Sequence, residues 1–277
     1  MAADMTFPAR LHILLASGAP VGVVLRRGPA RSVCSILWDR RTDQFQLGQW
    51  LRGRIYELRS DISPDGRHMI YFAMNGRWSS ETHGSWTAIS RTPWLKAVVL
   101  HGKGDCWQGG GLFTSRSRYW LNGCGHFTIR NTAELEQDTA FQPSGWYGAE
   151  CPGIYYVKLQ RDGWVLKDRL SAGSGDRFTV FEKPLGHGWI LRKYAHAESG
   201  ADPGRACYWD EHELEHPLRQ QRMVFPRWEW ADMDGKTLVW TAAGCLYRAR
   251  LHAKELGAPK MLYDFNGMKF ERREAPY

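Results

Sequence analysis

Asp61-Ile-Ser-Pro-Asp-Gly-Arg-His-Met-Ile-Tyr-Phe72 decides the reading of this 277-residue chain. Asp65-Gly66 sits between two strand-like runs, and glycine accepts the positive φ that a tight hairpin turn requires. A second copy runs Trp230-Ala-Asp-Met-Asp-Gly-Lys-Thr-Leu-Val-Trp-Thr241. In register, Asp65-Gly66-Arg67 falls on Asp234-Gly235-Lys236, and Met69-Ile70-Tyr71 on Leu238-Val239-Trp240. A basic residue opens the outgoing strand in both.

Working outward, three further stretches have the strand–turn–strand form: Leu11–Leu25, Gly111–Leu121 and Phe178–Leu191. With the first pair, the turns fall near residues 18, 65, 116, 186 and 234. More strand-like runs follow the hairpins: Ser32–Trp38, Asp43–Leu47, Ser85–Ser90, Lys96–Leu100, Cys245–Leu251 and Pro259–Asp264. The third interval is longer; it adds the expected strands Ile154–Leu159 and Gly163–Lys167, with an insertion at residues 131–152. Four strands recurring every 40–50 residues or so is the pattern of propeller blades.

Asp61–Phe72 resembles the Ser-Pro-Asp-Gly core of TolB-like propeller repeats, relatives of the WD-type repeat. Trp230–Thr241 matches in part, since it lacks Ser-Pro, and the other three stretches match in shape alone. The expectation is an all-β chain forming a single β-propeller over residues 1–277, with five blades of four antiparallel strands. Six blades, the usual number in the family, is the alternative. Trp38, Trp86, Trp120, Trp164, Trp189 and Trp240 lie in apolar strands and are expected to fill the space between blades. Propellers of this kind serve as protein-binding platforms, lectins and enzyme domains, so the fold does not select a function.

Composition agrees with short strands and many turns: 29 Gly, 13 Pro and 14 Trp, with 43% hydrophobic residues. No run of 18 apolar residues exists, so membrane insertion is not expected. Leu11–Leu25 is broken by Ser17, Gly18 and Pro20, and Asp4 interrupts a basic leader, so two strands are expected there instead of a signal peptide. Six cysteines lie at least 18 residues apart, which excludes a Cys-x-x-Cys metal or redox motif. Cys34 and Cys245 read as buried small hydrophobes, and a reduced, cytoplasmic chain is expected. The net charge is +8, with nine arginines against four acids in the first 60 residues, dispersed through strand-like sequence.

No catalytic constellation stands out. Gly102-Lys-Gly104 and Gly109-Gly-Gly111 lack the P-loop pattern and read as loops entering a strand. His212-Glu-Leu-Glu-His216 fits H-E-x-x-H by letter, but Pro217 follows at once and no amphipathic helix surrounds it. An exposed acidic strand or loop is expected, with no metal and no cofactor. A nucleophile elbow is absent. A funnel glycosidase would draw on Glu57, Asp61, Asp176, Glu182, Glu229 and Asp232, of which Asp61 and Asp232 read as turn formers.

The leading expectation is therefore a non-catalytic platform that binds another macromolecule, a protein first of all, through loops at one mouth. A carbohydrate-binding lectin or glycosidase and a nucleic-acid platform are the alternatives. The loops opposite the Asp-Gly turns are Asn75–His83, His101–Trp107 and Gln221–Trp228, with Trp146-Tyr147 from the insertion. Their aromatics and arginines are the types enriched at interface hot spots. The expected binding residues are Arg77, Trp78, His83, Trp107, Arg227 and Trp228.

Overall fold

The computed structural model describes residues 7–28, 31–169, 178–197 and 207–277. Asp4 and Asp176 lie outside the described residues. The chain is all-β, about half of it in strands. It divides into two compact units, residues 1–158 with 268–277, and residues 159–267.

In the first unit, β1 (Arg10–Leu15), β2 (Val21–Arg27), β3 (Ser32–Asp39) and β4 (Gln44–Arg52) form an antiparallel meander in sequence order. Next come β5 (Arg54–Ile62), β6 (His68–Met74), β7 (Ser85–Arg91) and β8 (Ala97–Gly102). After β9 (Gly111–Phe113) and β10 (Arg118–Leu121), β11 (Phe127–Arg130) returns to pair with β8, giving a five-stranded sheet. β12 (Glu136–Gln137) pairs parallel to β10 and completes a three-stranded sheet with β9. Leu14, Val23, Ile62, Met69 and Tyr71 are among the buried residues that join the first two sheets in one core.

One helix, α1 (Cys151–Arg161), stands where Ile154–Leu159 suggested a strand. The Ile-Tyr-Tyr-Val run has strand-type residues, but Ile154, Tyr155, Tyr156, Val157 and Leu159 are all buried, so packing overrides propensity. The helix ends have ordinary signals. Pro152 lies in the first turn, where its missing N–H costs nothing. Gly163, at φ +89°, closes the far end: its N–H reaches Gln160 O and the Trp164 N–H reaches Leu159 O, the double bond of a Schellman cap.

The second unit holds β13 (Val165–Arg169), β14 (Phe178–Pro184), β15 (Ile190–Ala197), β16 (Tyr208–His216) and β17 (Gln221–Phe225) in one antiparallel sheet. A four-stranded meander follows: β18 (Trp230–Asp234), β19 (Thr237–Ala242), β20 (Cys245–Arg250) and β21 (Lys260–Asp264).

All five expected hairpins are present, as β1–β2, β5–β6, β9–β10, β14–β15 and β18–β19. Strand number per sheet is not the uniform four expected: among the described residues two sheets have four, two have five and one has three. Two further expectations are corrected. Residues 221–225 are not loop but the edge strand β17. His212–His216 lies in a strand, as expected, but it is buried: His212 and Glu213 are fully enclosed. Lys193 and Arg192 on β15 neutralise the acids there from opposite faces. The apolar tryptophans do enter the interior, with Trp38, Trp164, Trp189 and Trp240 buried and Trp86 and Trp120 half-buried. All six cysteines are free, and burial pushes the Cys34 thiol up to about 12.

Gly66 and Gly235 take φ of +74° and +60°, as the Asp-Gly turns demand. Their surroundings differ. A Cβ on Gly66 would meet Val21 Cβ at 2.9 Å, whereas Gly235 has open space. Gly235→Val is therefore expected to cost about 1–2 kcal/mol from backbone strain, and Gly66→Val visibly more, read from urea unfolding midpoints. Equal costs would mean that Val21 yields freely.

The tail 268–277 belongs to the first unit, but no strand ladder holds it. The sequence predicts that Met268–Tyr277 pairs with strands near the N-terminus, and that expectation is corrected here. Side chains anchor it instead. The Arg91 N–H donates to the Tyr277 hydroxyl (3.1 Å), which donates to Lys96 O (2.6 Å). Arg273 Nη1 donates to Leu47 O, and Phe270 packs on Trp50 with its ring under Arg52. Deleting residues 268–277 is expected to lower Tm by several degrees. An unchanged melting curve would show that these anchors contribute nothing.

Candidate binding face

Three connections of the first unit lie at one end of its sheets. The loop between β6 and β7 is fixed by its own backbone. The Asn75 and Gly76 N–H groups both reach Gly84 O, Ser80 N–H reaches Arg77 O, and His83 N–H reaches Ser80 O. Asn75 Oδ1 caps the Arg77 N–H at 2.9 Å. Gly76, His83 and Gly84 all have positive φ. The Trp78 indole lies against Gly84, where a Cβ would stand 2.6 Å from the ring, so only glycine permits this seat. Trp78 is nonetheless 56% exposed.

The loop between β8 and β9 lies beside it. Lys103 N–H donates to Ser85 O, and Ser85 Oγ donates to Asp105 O at 2.6 Å. Asp105 accepts from Lys103 Nζ (2.6 Å) and from the Trp107 N–H (3.0 Å). Burial pushes the Asp105 carboxyl up, but these donors outweigh it and hold it below its usual range. Trp107 is left 65% exposed. His83 packs its ring on Phe127, and its Cβ lies 3.4 Å from where a Cβ on Gly104 would stand.

Beneath the second loop is Arg59, a residue 1% exposed. Its Nη1 donates to Cys106 O (2.8 Å) and Gln108 O (3.1 Å), and its Nη2 lies 3.8 Å from Glu150. Tyr56 and Phe72 stack on the guanidinium at 4.9 and 5.2 Å. The short junction at Gly53, between β4 and β5, completes the rim. Gly53 N–H donates to Arg31 O, and its α-carbon lies against Met74 and Asn75.

The expected binding residues thus divide. Arg77, Trp78, His83 and Trp107 are exposed on two neighbouring loops of the first unit. Arg227 and Trp228 belong to the second unit. Trp228 is not an exposed recognition residue but 7% exposed, stacked between Phe225 (3.7 Å) and Trp240 (4.6 Å). Reading Trp228 as a surface residue failed because the β16–β17–β18 geometry buries the position after a proline-containing turn. Arg59 was not singled out from sequence, since an arginine inside a strand pattern reads as solvated; its flanking Ser60 and Asp61, equally buried, give no sequence signal either.

The acids expected of a glycosidase are otherwise engaged. Asp61 is not a turn former but a buried acceptor for the Phe113 N–H at 2.8 Å; Asp65 is the turn residue, holding Ser63 and the Arg67 N–H. Asp232 is likewise not a turn former: it accepts from Lys183 Nζ (2.6 Å) and Trp164 Nε1 (3.3 Å). Glu57 faces Arg27. Burial pushes Glu182 up, but Arg192 and Lys167 hold it below the usual carboxylate range, the opposite of a general acid. Among the described residues no group of three His, Cys, Asp or Glu could hold a metal. No helix among them is long and apolar enough to cross a membrane.

Three histidines of the first unit are held back from protonation by burial. His101 is buried between Thr128 Oγ1 (3.1 Å) and the Tyr119 hydroxyl (3.2 Å). Burial, then the neighbouring His126, lowers it from 6.5 to about 4. Burial also lowers His126 and His68. The unfolded chain takes up these protons near pH 6.5 and the folded chain resists them, so stability falls as pH falls through that window. His101 alone corresponds to about 3 kcal/mol between pH 6.5 and 4. Urea unfolding should show the loss on acidification, and His101→Gln should flatten it. A stability independent of pH over that window would contradict the burial of these rings.

No family model matches the chain, and no curated protein matches it. Among solved structures, hydrazine synthase of Kuenenia stuttgartiensis is similar at 11% identity and a TM-score of 0.32, over 90% of this chain and 79% of that one. A likeness at that level carries no argument about fold or activity.

Proposed function

We propose that the chain is a non-catalytic binding module that takes hold of another macromolecule through the loops at residues 75–84 and 103–108. One observation carries the reading: two large indoles stand exposed on adjacent loops that are rigid by construction. Exposed Trp on mobile loops would lose side-chain and backbone entropy on binding; here hydrogen bonds, positive-φ residues and Arg59 have already fixed the backbone. Trp and Arg are the residue types that dominate interface hot spots, which supports a protein partner. The same side chains also hold single-stranded nucleic acid. We further propose that the five sheets are blades of a TolB-like propeller, on the support of the Ser-Pro-Asp-Gly hairpin at 61–72 and the meander order of the four- and five-stranded sheets.

The test is affinity purification from the native cell with the parent chain and with Trp78→Ala/Trp107→Ala. The binding partner should be retained by the parent and lost at least tenfold by the variant, about 1.4 kcal/mol, at equal Tm. Retention by a folded double variant would contradict the reading.

A further inference from the structure

We infer that the partner held at this face is a single-stranded nucleic acid, its phosphates on arginines and its bases on Trp78 and Trp107; the inference rests on the binding-module reading above. Four exposed arginines converge at the rim. Arg31 is tied to the Gly53 junction through its carbonyl, Arg52 and Arg54 flank that junction, and Arg77 adjoins it through Asn75. None of the four makes an ion pair among the described residues. The acids nearby already face cations: Glu57 has Arg27, Asp105 has Lys103 and Glu150 has Arg59. Glu81 is the remaining acid on these loops.

The charge is also segregated. The first unit carries 21 basic against 14 acidic residues, and the second 16 against 15, so nearly all of the +8 belongs to the unit with this face. An anionic partner complements it. Flat rings interleave with the cations: Arg77 precedes Trp78, and Arg54 lies over Tyr56 at 4.3 Å, with Arg59 also stacked on Tyr56 and binding the loop that carries Trp107. Alternating guanidinium and aromatic surface matches the phosphate and base repeat of a single strand, in which every base offers a face for stacking. A protein could also use the two indoles; the segregated positive charge beside them is what favours a polyanion whose bases stack.

The probe is a fluorescein-labelled oligo(dT) of about 20 nucleotides, followed by fluorescence anisotropy with the full chain. Binding should weaken about 50-fold from about 50 to about 200 mM salt, the dependence for four phosphates released from counterions. Arg54→Gln/Arg77→Gln should reduce that change to about sevenfold. Trp78→Ala and Trp107→Ala should each weaken binding at least fivefold or so. Arg67→Gln/Arg116→Gln removes the same charge at the other ends of the β5–β6 and β9–β10 hairpins and should leave affinity within about twofold. Absence of binding at low salt overturns the inference. So does an equal loss in the Arg67/Arg116 variant, or indifference to both tryptophan changes. If oligo(dT) fails to bind while Trp78→Ala/Trp107→Ala releases a protein captured from the cell, the nucleic-acid inference falls and the module reading stands.

Discussion

Arg59→Met is expected to destabilise the first unit by about 2–4 kcal/mol, read from the urea unfolding midpoint. The loss follows from what the guanidinium satisfies. Cys106 O and Gln108 O would lose a charged donor, and Glu150 would lose its cation. Methionine fills much of the space between Tyr56 and Phe72, so the effect reports lost hydrogen bonds more than a cavity. The loop carrying Trp107 should exchange its amide protons faster in the variant. A loss below about 1 kcal/mol would mean that the loop holds its shape without Arg59.

Lys193→Met should have a comparable effect in the second unit. Lys193 is 1% exposed and donates to Asp210 (2.8 Å) and His212 Nε2 (2.8 Å), with Trp164 stacked at 5.0 Å. Because a lysine can only donate, His212 carries its proton on Nδ1, directed at Trp228 O (2.9 Å). Burial and then Lys193 push His212 well below its ordinary value, so it stays neutral. Removing the ammonium takes this cation from a buried carboxylate, at about 3–5 kcal/mol. Lys193→Met/Asp210→Leu should recover a large part of that, since an uncharged pair has no desolvation to offset. Failure of the double variant to recover any stability would show that Lys193 acts through packing alone.

The hairpins were legible in the sequence because Asp-Gly turns and strand alternation are local. Asp65-Gly66 and Asp234-Gly235 specify their turns without help from distant residues. The strands after the first, second and fifth hairpins follow from the same alternation. What failed depended on contacts remote in sequence. Ile154–Leu159 has strand propensity and became helix because its residues are enclosed on every side. Gln221–Phe225 reads as loop, yet pairs residue for residue with β16. Trp78 and Trp107 stand exposed on loops, and Asn75-Gly76 and Gly104-Asp105 announce those turns in the sequence. Trp228 looked alike in sequence and was buried by a stack of Phe225, Trp240 and Tyr247. Buried charge left no sequence signature: Arg59, Lys193 and Glu213 are enclosed only because their partners arrive from other strands and loops.

The central claim is that a macromolecule is held at the loops carrying Trp78 and Trp107, and site-specific photo-cross-linking in the native cell tests it most directly. A photoreactive phenylalanine analogue would replace Trp78, Trp107, Arg67 or Arg116 in turn, the last two on turns at the other ends of their hairpins. Positions 78 and 107 should each yield a defined macromolecular adduct on irradiation, and positions 67 and 116 should yield none. Adducts at 67 or 116 with nothing at 78 and 107 would contradict it.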